Sequence, residues 1–378
     1  MSIKNAISIA DLRIMAKARL PKMVFDYIDG GADDEITLAK NISRFRDKSL
    51  VWRALTDISV LDTKTTVMGA QSDLPFFISP TASSRLFSPK GGEIAVAQAA
   101  EKYGIPYSIS TIGSTSIEDV AAATRGPKFF QIYVWKDRGV VKDIIQRVKD
   151  AGFDGIILTV DVPVAGNRER DPRNKFTIPP KPNLSVAMQM LSRPAYLMDM
   201  VSSGKIDAAN FKHIKTDGAG IIEFINNQFD RTVTWKDAEW MRNEWGGKFA
   251  IKGISTAKDA QNCLDIGADA VWISNHGGRQ LDTSPATIDT LPAIAEQVQG
   301  RGEIILDGGI RRGTDIVKAL AMGATSVAIG RAYLYGLGAA GQIGVERALE
   351  ILKSELLRNM ALCGAKNIGE ITRELVVN

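Results

Sequence analysis

At 378 residues, 45% of them hydrophobic and 24% charged, the chain has the composition of a globular protein with a large core, not of a disordered or low-complexity one. A net charge of +4 is too small and too dispersed for a nucleic-acid surface, yet compatible with an acidic substrate, a phosphate-bearing cofactor or an anionic membrane surface. Two widely spaced cysteines, Cys263 and Cys363, and two histidines give neither a disulfide framework nor a zinc site of usual spacing, so a reducing compartment without a metal centre is expected.

The N-terminus lacks the apolar run and cleavage site of a signal peptide. No segment offers about 18 uninterrupted apolar residues, so the expectation is a protein that is soluble or lies on a membrane surface. Ser8 to Gly30 reads as helical, with Ser8 or Asp11 as start signals and Pro21 opening a second helix through Ile28. Gly30-Gly31 stops it, and Tyr27 falls just before that break.

From residue 75 short apolar runs alternate with helical patterns. The runs are 75–79, 106–110, 129–133, 155–161, 249–252, 270–274, 303–307 and 326–330. Eight strands alternating with helices predict an α/β fold, a (β/α)8 TIM barrel with an N-terminal helical extension. An open doubly wound sheet is the alternative, but no GxGxxG follows the first run. We expect one domain over 1–378, with N-terminal helices at 8–31, the barrel at about 75–363 and an insertion after strand four at about 177–233.

Within that insertion, 184–201 carries Met188, Met190, Met198 and Met200. It reads either as a lid or as an amphipathic face for a membrane or an electron-acceptor partner. Trp235, Trp240 and Trp245 suit a helix packed on the barrel, and Gly344 to Cys363 the closing helix.

Barrels of this class work at the C-terminal ends of their strands. Here those ends carry Pro80-Thr81-Ala82, Ser110, Gln131 with Tyr133, Thr159 with Asp161, Lys252, His276 with Arg279, Asp307-Gly308-Gly309 and Gly330-Arg331. His276 beside Arg279 pairs a group that titrates near neutrality with a fixed fork of donors, as proton transfer from an anionic substrate requires. Asp161 can hold that histidine in one tautomer, and Arg168 can supply a second clamp on a carboxylate. Arg311, Arg331 and the glycines around them suit a phosphate, whether of substrate or of cofactor. Lys252, with no acidic neighbour visible in the sequence, reads as a fixed cation near a bound ring or as a Schiff-base nucleophile, which keeps an aldolase or isomerase reading open.

SNHGGRQLD at 274–282 and DGGIRRGTDIVKALAMGA at 307–324 resemble the FMN-dependent L-2-hydroxy-acid oxidase and dehydrogenase family, which includes glycolate oxidase, mandelate dehydrogenase and bacterial respiratory L-lactate dehydrogenase. LPKMVFDYIDGGADDE at 20–35, FQIYV at 130–134 and TVDVP at 159–163 add to it, so the likeness runs from about Tyr27 to the C-terminus. The resemblance implies FMN as cofactor, His276 as base with Asp161 as its partner, and Tyr27, Tyr133, Arg168 and Arg279 around the substrate. It places Pro80, Thr81, Ala82, Ser110, Gln131, Thr159, Lys252 and Ser274 along the flavin ring, and Asp307 on the ribityl chain. Gly309, Arg311, Gly330 and Arg331 fall to the phosphate.

The implied reaction oxidises an L-2-hydroxy acid to the 2-keto acid. Ile112 stands where glycolate-oxidising relatives carry a large aromatic, and Ala165 is small, which keeps lactate, longer 2-hydroxy acids and mandelate in play. Ala82 matches the oxidases of the family where several membrane dehydrogenases have glycine, so the electrons go to a quinone, a cytochrome or oxygen. A dehydrogenase ranks ahead of a hydrogen-peroxide-forming oxidase. By analogy the protein is a tetrameric homo-oligomer, cytoplasmic or peripheral on the inner face of the cell membrane.

Overall fold

The computed structural model describes residues 2–176, 184–211 and 229–377. Eight parallel strands close into a barrel: β1 (Phe76–Ile78), β2 (Tyr107–Ser110), β3 (Lys128–Ile132), β4 (Gly155–Thr159), β5 (Lys248–Ile254), β6 (Ala270–Ile273), β7 (Glu303–Leu306) and β8 (Ser326–Ile329). Each lies on one of the eight expected runs, and the (β/α)8 expectation holds. Before the barrel come α1 (Ile9–Arg19), α2 (Lys22–Asp29) and α3 (Ile36–Arg46). Between the first four strands lie α4 (Gly92–Lys102), α5 (Ile117–Ala123) and α6 (Arg138–Asp150). Between β4 and β5 stand α7 (Arg170–Arg173), α8 (Leu184–Leu191), α9 (Pro194–Ser202) and α10 (Trp235–Trp245). Then follow α11 (Ala257–Asp265), α12 (Thr287–Val298), α13 (Gly313–Ala321), α14 (Arg331–Ala340) and the closing α15 (Gln342–Cys363).

The alternation of side chains along a strand determines where the chemistry can sit. Phe77, Phe129, Ile157, Ala250, Trp272, Ile305 and Ala328 point into the barrel and form one apolar layer. A hairpin, Thr65–Val67 with Ala70–Ser72, plugs its base with Val67 and Met68. Phe77 meets Trp272 edge-on at 5.3 Å between ring centroids and Phe129 at 6.2 Å. Truncating any one of these aromatics to alanine costs about 3–5 kcal/mol. Two residues further along the same strands come Ser79, Gln131, Thr159, Lys252, Ser274, Asp307 and Gly330. The layer above the apolar floor is therefore polar, and the next step up reaches Asp161 and His276. Side chains of the other parity, such as Ile78, Phe130, Leu158, Ile251 and Ile273, pack outward against the helices.

The N-terminal helices were anticipated except α3. Ser8 and Asp11 form a reciprocal cap on α1, with Asp11 N–H donating to Ser8 Oγ at 3.2 Å and Ser8 N–H to Asp11 Oδ2 at 2.9 Å. Pro21 is the N-cap of α2. The start of α3 has no local cap: Glu35 sits in the left-handed region, φ 62°, and makes no side-chain cap bond. Its free amides at Ile36 and Thr37 donate instead to the Asp282 carboxylate at 3.2 and 2.7 Å, a partner no reading of neighbouring residues can find.

In the insertion, helices α8 and α9 dock back on the N-terminal extension. Met23 N–H donates to Gln189 Oε1 at 2.9 Å, Arg193 Nε to the Leu20 carbonyl at 3.2 Å, and Arg19 pairs with Asp199 at 2.5 Å. Leu184, Met188, Leu191, Met198 and Val201 on these helices are 57–77% exposed. The remainder of the expected insertion, 177–183 and 212–228, lies outside the described residues. The three tryptophans fall on α10, which is capped by Thr234 and Asp237.

Candidate active site

At the mouth of the barrel His276 follows β6 on a turn with consecutive left-handed residues, φ 56° at His276, 67° at Gly277 and 75° at Gly278. A histidine in that region is strained, and strain of this kind concentrates where a side chain must be aimed. The turn is fixed by two asparagines that exchange amide hydrogen bonds, Asn41 Nδ2 to Asn275 Oδ1 at 2.8 Å and Asn275 Nδ2 to Asn41 Oδ1 at 2.9 Å.

His276 Nδ1 lies 3.0 Å from Asp161 Oδ1. With Nδ1–H donating to the carboxylate, Nε2 is left with its lone pair free. Burial works against the Asp161 charge, but the His276 ring and the nearby Lys252 outweigh it and hold the carboxyl below its ordinary range. The passage of Asp161 depends on Gly253, which has φ 110° where β5 breaks register. A Cβ there would stand 2.8 Å from Asp161 Cβ.

Across the mouth two guanidiniums face one aromatic ring. Arg279 Cζ is 4.8 Å and Arg168 Cζ 5.7 Å from the Tyr27 centroid. Tyr27 is stacked on Phe176 at 4.8 Å and on Phe87 at 6.2 Å. Arg279 Nη1 donates to the carbonyls of Tyr27 at 2.6 Å and Gly30 at 3.3 Å. Burial first, then the neighbouring Arg168, lowers the Arg279 pKa. Tyr133 stands against Phe229 edge-on at 5.3 Å. Burial and the Asp161 charge push its phenol upward, so it stays a donor.

Lys252 differs from its reading in sequence. Its Nζ lies 2.8 Å from Ser274 Oγ and 3.2 Å from Asp307 Oδ2, so it does have an acidic partner, brought by β7 to the polar layer it shares with β5. A lysine so held is a fixed cation and poorly suited to Schiff-base attack. Asp307 is also bound by Ser274 Oγ at 2.7 Å and Trp272 Nε1 at 3.1 Å. Arg331 Nε, Nη1 and Nη2 donate to the carbonyls of Ile28, Gly277 and Gly30 at 2.8, 2.8 and 2.7 Å. Arg311 Nη1 donates to the Ile310 carbonyl at 2.8 Å, and its guanidinium lies over the Tyr335 ring.

A family model described as FMN-dependent dehydrogenase matches residues 16–378. The chain belongs to that family. It is 42% identical over 368 residues to a putative L-lactate dehydrogenase of Mycobacterium tuberculosis, covering 97% of this chain and 88% of that one. An L-lactate dehydrogenase of Vibrio cholerae is 39% identical over 371 residues, covering 97% and 98%. Among solved structures, that of the monotopic membrane protein (S)-mandelate dehydrogenase superposes with a TM-score of 0.95 at 36% identity, over 99% of this chain and 100% of the other.

The residues of this FMN-dependent dehydrogenase fit a flavin nucleotide. Gln131 Nε2 and Thr159 Oγ1 are buried in the polar layer with no hydrogen bond among the described residues, although buried polar groups are normally bonded. A Cβ on Gly330 would meet nothing within 4 Å, so there is open space above that turn. Arg331 forms no ion pair among the described residues; burial first, then Arg279 and Arg311, push its pKa down to about 10. Unpaired cations beside open space and a glycine turn suit a phosphate. Ser110 Oγ lies 3.2 Å from Gln131 Oε1, and Thr81 Oγ1 shares a hydrogen bond with Tyr333. Among the described residues no cluster of His, Cys, Asp and Glu could hold a metal ion.

Three features escaped the sequence reading: the Asn41–Asn275 pair, the Phe176 and Phe229 rings against the two tyrosines, and Asp29 with Arg170 behind Tyr27. For Phe176 the signal was present, since it follows α7 directly. Asn41 with Asn275 and Asp29 with Arg170 join residues more than a hundred positions apart, and Phe229 reaches Tyr133 from the far end of the long insertion.

Proposed function

We propose that the protein oxidises an L-2-hydroxy acid to its 2-keto acid. The observation that carries this reading is the arrangement of one imidazole, backed by a carboxylate, facing two guanidiniums across Tyr27 at the mouth of the barrel. Arg168 and Arg279 bind the substrate carboxylate, and Tyr27 supports it from between them. Tyr133 donates to the substrate hydroxyl, and His276 Nε2 accepts a proton. Asp161 stabilises the imidazolium that results. In either order of proton and electron transfer, the imidazole must enter neutral. FMN, when bound, supplies the acceptor for the electron pair. Pro80 to Ala82, Ser110, Gln131, Thr159, Lys252 and Ser274 hold its ring, Asp307 its side chain, and Gly309, Arg311, Gly330 and Arg331 its phosphate. Lys252 would supply a fixed positive charge beside that ring.

The half-buried Ile112 and the aromatic walls Phe87, Phe176 and Phe229 favour a substrate with an apolar side chain. Electrons pass to a quinone or a cytochrome, ahead of oxygen. The exposed apolar residues of α8 and α9 support docking on the inner face of the cell membrane, since no helix among the described residues is long and apolar enough to cross one. Anaerobic mixing with L-lactate, L-mandelate and 2-hydroxyoctanoate, followed by re-oxidation with air or a quinone analogue, tests both parts. A yellow enzyme that none of these acids bleaches overturns the reading, and faster re-oxidation by air than by quinone overturns the acceptor.

A further inference from the structure

The carboxylate clamp is assembled from three pieces of chain that are remote in sequence. Helix α2 brings Tyr27, the segment after β4 brings Arg168, and the turn after β6 brings Arg279. One side chain, Arg170, joins two of them directly and reaches the third through Glu35 and the Gly31–Ala32 backbone. We propose that Arg170 is a positioning residue that locks Tyr27, Arg168 and Arg279 into register by bridging Asp29 and Glu35. This rests on the reading of those three residues as the substrate clamp.

Arg170 begins α7, two residues after Arg168. Its Nη1 reaches Asp29 Oδ2 at 3.1 Å, and Asp29 stands two residues after Tyr27 on α2. Its Nη2 donates to Glu35 Oε2. The other Glu35 oxygen accepts from Gly31 N–H at 3.0 Å, and the next amide, Ala32 N–H, donates to the Gly278 carbonyl at 2.9 Å, immediately before Arg279. Asp29 is itself anchored by Arg13 at 2.6 and 2.8 Å and by the Tyr335 hydroxyl at 2.9 Å. Burial works against its charge, but those donors and Arg170 hold its carboxyl below the ordinary range.

A planar fork sets its donors at a fixed separation and so holds two carboxylates in a defined geometry, which an ammonium on a flexible stem does not. Without the bridge, Asn174 still ties the end of α7 to α2 by donating to Asp26 Oδ2 at 2.7 Å, but the start of α7, next to Arg168, loses its hold on Asp29 and Glu35. Arg168, whose Nε already lies 3.6 Å from Asp171, then settles on that carboxylate and leaves Tyr27. His276, Asp161 and Lys252 are held by the barrel and by each other, not by Arg170. Loosening the clamp therefore weakens substrate binding without altering the reacting groups.

The test is anaerobic rapid-mixing of the FMN-loaded protein with L-lactate and L-mandelate, reading half-saturation and limiting rate of flavin bleaching separately. Arg170→Met is expected to raise half-saturation about tenfold while the limiting rate stays within about twofold. Arg170→Lys, which keeps the charge but not the fork, falls between. Arg173→Ala, on the exposed side of the same short helix, leaves both unchanged. FMN content and thermal midpoint are measured alongside, and Glu35→Gln gives a second route to the same readout if Arg170→Met does not fold. If Arg168→Met raises half-saturation and Arg170→Met does not, the bridge has no positioning role and the clamp stands. If Arg168→Met also leaves it unmoved, the clamp reading fails and takes the bridge with it. A loss of FMN and limiting rate together, at unchanged half-saturation, shows a merely structural residue and overturns the proposal.

Discussion

Replacing Asp161 with asparagine removes one charge from beside the His276 ring while leaving the shape of the site nearly intact. The carboxylate oxygen and Nδ1 are 3.0 Å apart, and the two side chains are 12% and 29% exposed, so solvent screens the pair only in part. With charge centres about 5 Å apart and an effective dielectric of about 20, the carboxylate stabilises an imidazolium by about 3 kcal/mol. That stabilisation is absent while the ring is neutral, so it is felt in the step that protonates His276 and not in substrate binding. The expected loss in limiting rate is about two orders of magnitude. It grows if the new amide donates to Nδ1 and reverses the tautomer, as in the serine-protease triad. The variant also places an amide where Asp161 Oδ2 now lies buried and without a partner. Anaerobic flavin bleaching with saturating L-2-hydroxy acid measures the rate, and His276→Ala, expected to bind FMN yet show no bleaching, gives the floor. An Asp161→Asn protein within about fivefold of the wild-type rate would refute the coupling of this carboxylate to the base.

Gly253→Ala forces an alanine to φ 110° and drives its Cβ to 2.8 Å from that of Asp161, so both stability and limiting rate should drop. The strain costs about 1–3 kcal/mol, read as a lower denaturation midpoint, and an unchanged rate would show that Asp161 tolerates displacement. Asp29→Asn removes the partner of Arg13 and Arg170 and should cost about 2–3 kcal/mol at pH 7, towards the low end for a buried pair because both arginines are partly exposed. Because the folded Asp29 carboxyl titrates below its unfolded value of about 3.9, its contribution is complete above that value and fades as pH falls through the folded one. Denaturation at a series of pH values should then show the gap to wild type closing on acidification; a widening gap contradicts the linkage. Leu191→Glu with Met198→Glu puts charge on the exposed apolar face of α8 and α9. It should abolish co-sedimentation with phosphatidylglycerol vesicles while leaving anaerobic bleaching intact, and a wild-type protein that never sediments removes the membrane proposal.

Much of the barrel was legible because parallel strands covered on both sides must be apolar along their whole length, and such runs stand out against amphipathic helices. The candidate site was legible for the same reason. Once strand ends are known, the polar residues at or just beyond them, Gln131, Thr159, Lys252, Ser274 and Asp307, stand apart from the apolar core. What stayed hidden was every contact made across long sequence separation. The cap on α3 comes from Asp282, the partner of Lys252 from Asp307, and the support of the His276 turn from Asn41. Each is an ordinary polar residue in its own neighbourhood, and only the closed ring brings it to its partner.

The end of α2 shows why an extension outside the barrel belongs to the chemistry. A helix C-terminus is a centre of partial negative charge, and here its last carbonyls face inward to the mouth. Those of Tyr27 and Gly30 take Arg279, and those of Ile28 and Gly30 take Arg331. The Asp29 carboxylate beside them takes Arg13 and Arg170. Arg279 and Arg331 repel one another, and burial penalises both, so these oxygens offset part of the cost of holding two cations at the mouth before an anion arrives. Under the proposed roles, the same cations would need only to exchange carbonyl oxygens for phosphate or carboxylate oxygens, a rearrangement smaller than recruiting them from solvent. Any change that shortens α2 past Asp29 removes this counter-charge, and so weakens FMN and substrate binding together, although no strand of the barrel is touched.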